Sequence, residues 1–288
     1  MPSLSLRILG CGSSGGVPRV GYGWGACDPA EPRNRRRRCS LLVERRQRDG
    51  NGGGGATTVL VDTSPDLREQ LLDADVPDLD AVLFSHDHAD HTHGIDDLRS
   101  LVLHNRRRIL VHADEATTGS LVSRFAYLFE TPAGSIYPPI LELRPLADGS
   151  PVIVQGAGGE IVALPIAVEH GPNYEALGFR FGDVAYVPDV SLMSSQAKAA
   201  LAGLDILILD CLREAPHPSH FNLAQALATI TELKPRRTIM TDLHSDLDYN
   251  RLRSMLPQNT DVAFDGMRIA FELRNDAVRP NMVSILVP

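Results

Sequence analysis

The stretch AVLFSHDHADHTHG, residues 81–94, decides how the rest of the sequence is interpreted. It begins as an apolar strand, and four side chains able to bind a metal follow within six residues: His86, His88, Asp90 and His91. Histidines two residues apart on extended chain point the same way, and the Asp and His that follow can reach a second ion. Imidazole and carboxylate ligands together suit Zn, Mn or Fe. The segment therefore predicts a metal site at a strand end rather than a polar turn that happens to contain histidine.

The composition is that of a globular protein without strong affinity for polyanions. The 288 residues are 43% hydrophobic and 22% charged, which excludes wholesale disorder. Twenty-eight basic and 36 acidic residues give a net charge of −8. Arginines cluster in residues 31–48, but no aromatic residue lies among them to stack on bases. Nucleic acid is therefore not an expected partner, and these arginines are predicted to form a solvated face or an interface.

Membrane spans and secretion signals are not evident in the sequence. No apolar run approaches the ~20 residues that a membrane helix needs. The first residues lead directly into a strand-like segment and lack the basic region followed by a long apolar region that a signal peptide has. The four cysteines are too scattered for a disulfide framework. We expect a cytoplasmic protein with reduced cysteines and no membrane partner.

Strand-like and helix-like segments are interspersed without a clear linker, which predicts one domain over residues 1–288 with sheets buried between helices. A helix is predicted from Pro65, with Ser64 as its N-cap. The glycine-rich residues 49–56 predict a flexible hairpin tip. Two further helices are predicted over residues 194–201 and 223–233. Strands are predicted over residues 4–9, 40–43, 57–61, 81–84, 109–112, 152–155, 161–168, 178–181, 185–187, 238–241, 269–273 and 283–287.

The motif HDHADH resembles the H-x-H-x-D-H signature of the metallo-β-lactamase superfamily. The resemblance extends along nearly the whole chain and implies an α/β fold of the αββα sandwich type with two divalent metal ions, zinc being expected and manganese the alternative. It implies that Asp189 bridges the two ions. The ligands it implies for the first metal are His86, His88 and His170, and for the second they are Asp90, His91 and His244.

One more feature of this family is an aspartate that supports the metal-binding loop from behind. The segment VLVDTSPDL places Asp62 in that position, after a predicted strand. The resemblance implies that Asp62 orients a ligand histidine through the ring nitrogen that does not bind metal. A helix-capping role for Asp62 explains its position equally well.

His220, in the segment APHPSHFNL, resembles the proton-donating histidine of the phosphodiesterase branch that contains tRNase Z and PhnP. The opening LGCGSSGGVPR is also similar to that branch. His170 and Asp189 are only nineteen residues apart, which leaves no room for the tRNA-binding arm of tRNase Z. The resemblance therefore implies a PhnP-like enzyme that hydrolyses a small cyclic or nucleotide phosphodiester. Cys27 and Cys39 are not expected to reproduce the additional structural zinc site of PhnP.

The implied mechanism uses a hydroxide bridged by the two metals as the nucleophile, with Asp90 orienting it and His220 protonating the leaving group. His217 is a rival for the proton donor. Ser13 and Ser14 in the glycine-rich turn are candidate substrate contacts. Arg99 is a third candidate, although a salt bridge to Asp96 or Asp97 explains it equally well.

Two other functions are compatible with the sequence. An acyl-ester hydrolase, either a lactonase or a thioesterase, would use the same metals. A non-catalytic binding or carrier protein, similar to PqqB, would keep the fold without turnover. A homodimer is left open.

Overall fold

Fifteen strands and seven α-helices are found in the described residues, 3–48, 54–274 and 277–286, of a computed structural model. No helix in these ranges is long and apolar enough to cross a membrane. The strands are β1 (Ser3–Gly10), β2 (Ser40–Arg48), β3 (Gly54–Val61), β4 (Ala81–Leu83), β5 (Ile109–Ala113), β6 (Leu141–Pro145), β7 (Val152–Val154), β8 (Ile161–Glu169), β9 (Glu175–Phe181), β10 (Val184–Val187), β11 (Ile206–Asp210), β12 (Arg237–Thr241), β13 (Thr260–Val262), β14 (Arg268–Arg274) and β15 (Ala277–Leu286). The helices are α1 (Leu67–Ala74), α2 (Ala89–Thr92), α3 (Arg99–Asn105), α4 (Glu115–Phe129), α5 (Ser195–Ala200), α6 (Leu223–Leu233) and α7 (Tyr249–Met255).

The strands form two sheets. The first has the order β15-β14-β1-β2-β3-β4-β5-β6, and the second has the order β13-β12-β11-β10-β9-β8-β7. Strands β3 to β6 run parallel to one another, as do β10 to β13. Neighbouring parallel strands end at the same edge of a sheet, and loops at that edge are where α/β proteins commonly bind ligands.

Both faces of the first sheet are buried, as alternation along β3 shows. Val59 and Val61 belong to the apolar core that joins the two sheets, whereas Leu60 belongs to a second core shared with helices α1, α3 and α4. Successive side chains of a strand point to opposite faces, so one face packs on the second sheet and the other on helices. Helices α5, α6 and α7 contribute Ala197, Ile230, Leu252 and other residues to the core that joins the sheets. The predicted αββα sandwich is confirmed.

Most predicted elements are present, and α6 has the predicted bounds. Ser194 caps α5 by accepting a hydrogen bond from the backbone N–H of Ala197. The predicted start of α1 is wrong. That helix begins at Leu67, because the Ser64 hydroxyl bonds to the Gln70 side chain and Ser64 and Pro65 remain outside the helix.

The structure contains a long helix, α4, that the sequence reasoning missed. Its first turns contain threonine, glycine and serine, which have low helix propensity. Its Asp114 cap and the burial of Leu121 and Leu128 against the first sheet stabilise it instead. Of the predicted hairpin tip, residues 49–53 lie outside the described residues, and the strand β3 already begins at Gly54.

The central arginines of the basic segment do not form a solvated face. Arg36 is buried, and its guanidinium donates to the Asn34 side chain and to the His244 carbonyl. Arg37 pairs with Asp265 at 3.1 Å. The expectation of a solvated run is wrong for Arg36 and Arg37 because folding brings acceptors to these guanidinium groups, whereas Arg35 and Arg46 are exposed.

Candidate metal centre

Four chain segments bring six of the seven predicted ligands to one place. His86 and His88 follow β4, and the short helix α2 carries Asp90 and His91. His170 directly follows β8 of the second sheet. The fourth segment follows β10 and supplies Asp189, which is only 3% exposed. The cluster therefore lies where strand ends of both sheets meet.

The first group of donors consists of three histidines and one carboxylate oxygen. His170 Nε2 lies 3.2 Å from His88 Nδ1. Asp189 Oδ2 lies 3.5 Å from His170 Nε2 and 3.8 Å from His86 Nε2. Bonds of ~2.05 Å around a tetrahedral zinc ion imply distances of about 3.3 Å between donor atoms. The spacing of the three histidine donors therefore fits one cation, with Asp189 Oδ2 next to two of them.

The second group lies on the other side of Asp189. His91 Nε2 is 3.3 Å from Asp189 Oδ1 and 3.5 Å from Asp90 Oδ2. The two oxygens of Asp189 thus face different groups of donors, Oδ2 the first and Oδ1 the second. This is the geometry expected of a carboxylate shared by two cations.

Hydrogen bonds on the far side of the rings fix the tautomers. Asp62 accepts from Nδ1 of His91 at 2.8 Å, and the Ser219 carbonyl accepts from Nδ1 of His170 at 2.6 Å. The Ser85 hydroxyl donates to Asp62 and can therefore accept from Nδ1 of His86 at 2.9 Å. The rings of His86 and His170 are left with an Nε2 lone pair that points into the cluster, as metal binding requires. Burial opposes a charge on His91, but Asp189, Asp62 and Asp90 raise the pKa of this ring well above its ordinary value. Asp62 lies where the sequence predicts, and α1 is not capped by it.

Several donor atoms at the centre of the cluster have no hydrogen-bond partner within the described part of the chain. They are His86 Nε2, His91 Nε2 and Asp189 Oδ1, and all three are buried. A buried polar atom without a partner costs about 1–3 kcal/mol. Divalent cations would satisfy all three atoms at once, so the residues present fit a two-metal site.

The electrostatics of the cluster favour cations. Burial lowers the pKa of His86 well below its ordinary value, which keeps its nitrogen free to bind. Burial acts against ionisation of Asp189 as well, but His91 and the other histidines hold the pKa of this carboxyl well below its usual range. The bridging position is therefore occupied by a carboxylate at neutral pH.

His220 lies beside the first group, with its ring 4.6 Å from that of His170. Its Nδ1 is 3.0 Å from Asp210 Oδ2 and 3.1 Å from Asp242 Oδ2. Burial opposes the charge on the ring, yet Asp210 and Asp242 raise the pKa of His220 to about 12. The ring is therefore an imidazolium with Nδ1 engaged, which leaves Nε2–H as the available proton.

Comparison with known proteins identifies the chain. The model of the β-lactamase superfamily domain matches residues 57–242, and that range includes every predicted ligand except His244. This protein is a member of the metallo-β-lactamase superfamily. A solved diphosphatase of the PhnP family is 34% identical to it, covers 95% of this chain and 99% of its own, and superposes with a TM-score of 0.82.

Two further relatives are similar over most of the chain. Zinc-bound PqqB from Methylobacterium extorquens is 18% identical, with coverage of 93% of this chain and 100% of its own and a TM-score of 0.67, which is a likeness of fold alone. An octanoyltransferase from Porphyromonas gingivalis is 31% identical over 265 residues, or 90% of this chain. The chain spans 50% of the length of that curated relative.

One predicted ligand of this superfamily member lies apart from the cluster. His244 Nε2 accepts from the Arg19 guanidinium, and its Nδ1 lies 3.0 Å from Asp246 Oδ2. Both ring nitrogens are therefore engaged by other side chains. Among the residues that the structure describes, no group of potential metal ligands includes His244. The prediction that His244 is the final ligand does not fit this arrangement.

The three predicted substrate contacts differ in their exposure and in their partners. The turn with Ser13 and Ser14 packs beside the segment before His244, with Ser13 buried and Ser14 exposed. Arg99 does not join the site, because its guanidinium pairs with Asp96 at 2.5 Å. This is the salt bridge that the sequence offered as the alternative explanation.

The cysteines and His217 have other surroundings. The Cys27 thiol lies 3.4 Å from the Leu247 carbonyl, whereas Cys39 lies 3.8 Å from Thr241 and from Asp242. Within the described ranges no potential metal site includes a cysteine. His217 Nδ1 is 3.2 Å from the Ser219 hydroxyl.

Sequence reasoning missed Asp210 and Asp242 as members of the site. Each stands where an apolar strand gives way to a loop, as Asp62 and Asp189 do, and that shared position was the available signal. It also missed Tyr174, whose ring stacks on His88 with centroids 4.8 Å apart and whose hydroxyl donates to Asp87. No pattern in the sequence pointed to Tyr174.

Proposed function

We propose that this member of the metallo-β-lactamase superfamily hydrolyses a small cyclic or nucleotide phosphodiester. The observation that carries the proposal is the position of His220, an imidazolium beside the ligand cluster. An alkoxide leaves poorly unless it is protonated, so phosphodiester cleavage that releases a sugar hydroxyl benefits from such a donor. The similarity to a diphosphatase of the PhnP family supports chemistry at phosphorus.

His86, His88 and His170 would hold one cation, Asp90 and His91 would hold a second, and Asp189 would bridge them. When bound, two such cations supply Lewis acidity and lower the pKa of a water molecule toward neutrality. Zinc fits the imidazole-rich first group, and manganese is the alternative.

The protein's own residues carry out the remaining tasks. Asp90, with its side chain 18% exposed, can orient the attacking water by a hydrogen bond. Asp210 accepts from His220 Nδ1 and so aims the opposite edge of the ring toward the leaving group. Ser14, exposed in the turn that packs beside Leu243, would offer a hydroxyl donor, whereas the Ser13 hydroxyl is buried.

A substrate panel tests the proposal. The metal-loaded protein is assayed on a cyclic nucleotide, a linear dinucleotide, a diphosphate-linked nucleotide, a lactone and a thioester, with Asp189→Ala as the matched metal-deficient control. We expect turnover of a phosphodiester in the parent and its loss in the control. Turnover of acyl substrates alone, or of diphosphates alone, would refute the proposal.

An acyl-ester hydrolase is the second candidate, and the similarity to an octanoyltransferase favours it. That relative has a further half of its length without a counterpart here, so its acyl transfer does not have to come from the matched half. Two bound metals with no turnover of any substrate would instead support the PqqB-like carrier function. The superfamily fold by itself does not separate these alternatives.

A further inference from the structure

Three neighbouring parallel strands of the second sheet each have an aspartate at or just after their carboxyl end, so the three aspartates lie at the same edge of the sheet. Asp189 lies two residues after β10, Asp210 is the last residue of β11, and Asp242 directly follows β12. The strand register pairs Asp210 with Thr241, so Asp242 lies one residue beyond the position opposite Asp210. Asp242 and Asp189 both face His220 Nδ1, at 3.1 and 3.9 Å. Asp242 therefore lies at the same sheet edge as the ligand cluster, in a group with Asp210 and His220.

The Asp242 carboxylate shares His220 Nδ1 with Asp210, and its Oδ1 lies 3.8 Å from the Cys39 thiol, which is a weak donor. Asp210 already accepts from His220, and it also accepts from the backbone N–H groups of Val190 and Phe221. A single Nδ1–H cannot serve two carboxylates well. Asp242 is 2% exposed, and its Oδ2 has no hydrogen-bond donor in the described part of the molecule. A buried carboxylate in this situation is stabilised by an additional cation.

His244 is held away from the cluster by the backbone. Leu243 forms an isolated bridge with Gly12, and the His244 N–H donates to the Leu212 carbonyl at 2.9 Å. These contacts send the chain toward the N-terminal turn, where Arg19 meets the His244 ring. Asp242 itself has a φ of +57°, an unusual conformation that Asp tolerates better than most residues and that often marks functional sites.

We propose that Asp242, in place of His244, is the terminal ligand of the second metal, together with Asp90, His91 and the bridging Asp189. The inference deepens the proposed function and rests on it for the presence of two metals. The two sites then differ in chemistry. The first has three imidazoles and a shared carboxylate, whereas the second has one imidazole and three carboxylates. Because carboxylates suit manganese and imidazoles suit zinc, the second site should discriminate less against manganese.

Metal content tests the assignment without any substrate. Asp242→Asn is the sharpest change, because Asn keeps the shape and accepts the positive φ while it removes the charge. We expect this variant to bind the second ion at least ~100-fold more weakly and to retain one equivalent after dialysis. His244→Asn is the matched control and should retain two equivalents. Thermal unfolding of each variant verifies that it folds.

A second variant tests the selectivity. Asp242→His should again hold two ions, and in competition between the two metals it should shift the second site toward zinc. A rise in the sharp electron paramagnetic resonance signal of released, aquated Mn(II) would report this shift. Two equivalents retained by Asp242→Asn, or one lost from His244→Asn, would overturn the inference. Neither result would affect hydrolysis by the parent. Conversely, a parent that binds two ions and hydrolyses no phosphodiester would refute the proposed function and leave this assignment standing.

Discussion

Replacing His220 by Ala tests whether this residue donates the proton to the leaving group. The side chain is 14% exposed and fixed by Asp210 at 3.0 Å, so water does not easily take over its role. A positioned proton donor accelerates a reaction by a factor of roughly 10²–10⁴. Because Asp210 holds the ring in place, we expect His220→Ala to lower kcat by about 10³–10⁴, the upper part of this range. That corresponds to about 4–5 kcal/mol of transition-state stabilisation. The loss applies to kcat for a substrate that releases a sugar hydroxyl.

The assay compares this substrate with an ester that releases p-nitrophenolate, which leaves without protonation. We expect His220→Ala to lose less than about tenfold on the activated ester, because only the metals and the nucleophile are needed there. His217→Ala is the matched control, since its ring lies 5.1 Å from that of His220, and it should affect both substrates alike. Metal content is measured for each variant, because Asp242 loses a neighbour when His220 is removed.

An equal loss on both substrates would show that His220 positions other groups and does not donate a proton. The contrast appearing in His217→Ala would transfer the role to that residue. Either result would also weaken the proposed phosphodiesterase function, because that proposal depends on the donor.

Three other predictions follow from separate parts of the structure. Asp189→Ala should lower the metal content and, like chelation of the parent, abolish hydrolysis; full metal occupancy in this variant would remove Asp189 from the ligand set. A Cys27→Ser, Cys39→Ser double variant should match the parent in elemental analysis, and the loss of one equivalent would reveal a further metal site. Burial raises the pKa of Asp265 to about 6, so the native protein binds this proton more tightly than the unfolded chain. The free energy of unfolding should therefore fall by up to ~3 kcal/mol as the pH rises from about 4 to about 6. Burial also raises the pKa of Asp210 to about 6, so the test is the difference between the two proteins. Chemical denaturation at a series of pH values should show a decline that is larger by about this amount in the parent than in Asp265→Asn, and identical profiles would contradict it.

Local patterns in the sequence were enough for the strands and for most of the ligand cluster. His86, His88, Asp90 and His91 lie within six residues, so their proximity does not depend on how the rest of the chain folds. Apolar runs bounded by glycine, proline or aspartate predicted most strands of both sheets, because those residues interrupt extended structure. Because these signals are local, they can be recognised without knowledge of the tertiary structure.

Contacts between distant segments were decided only by the tertiary structure. Asp242 and His244 are two residues apart, and the family resemblance implied the histidine because that family carries a final histidine near the C-terminus. The bridge between Leu243 and Gly12 and the positive φ of Asp242 turn the carboxylate toward the cluster and the ring toward Arg19. Which of two neighbouring side chains reaches a site depends on backbone direction at a strand end, and partners more than two hundred residues away determine that direction.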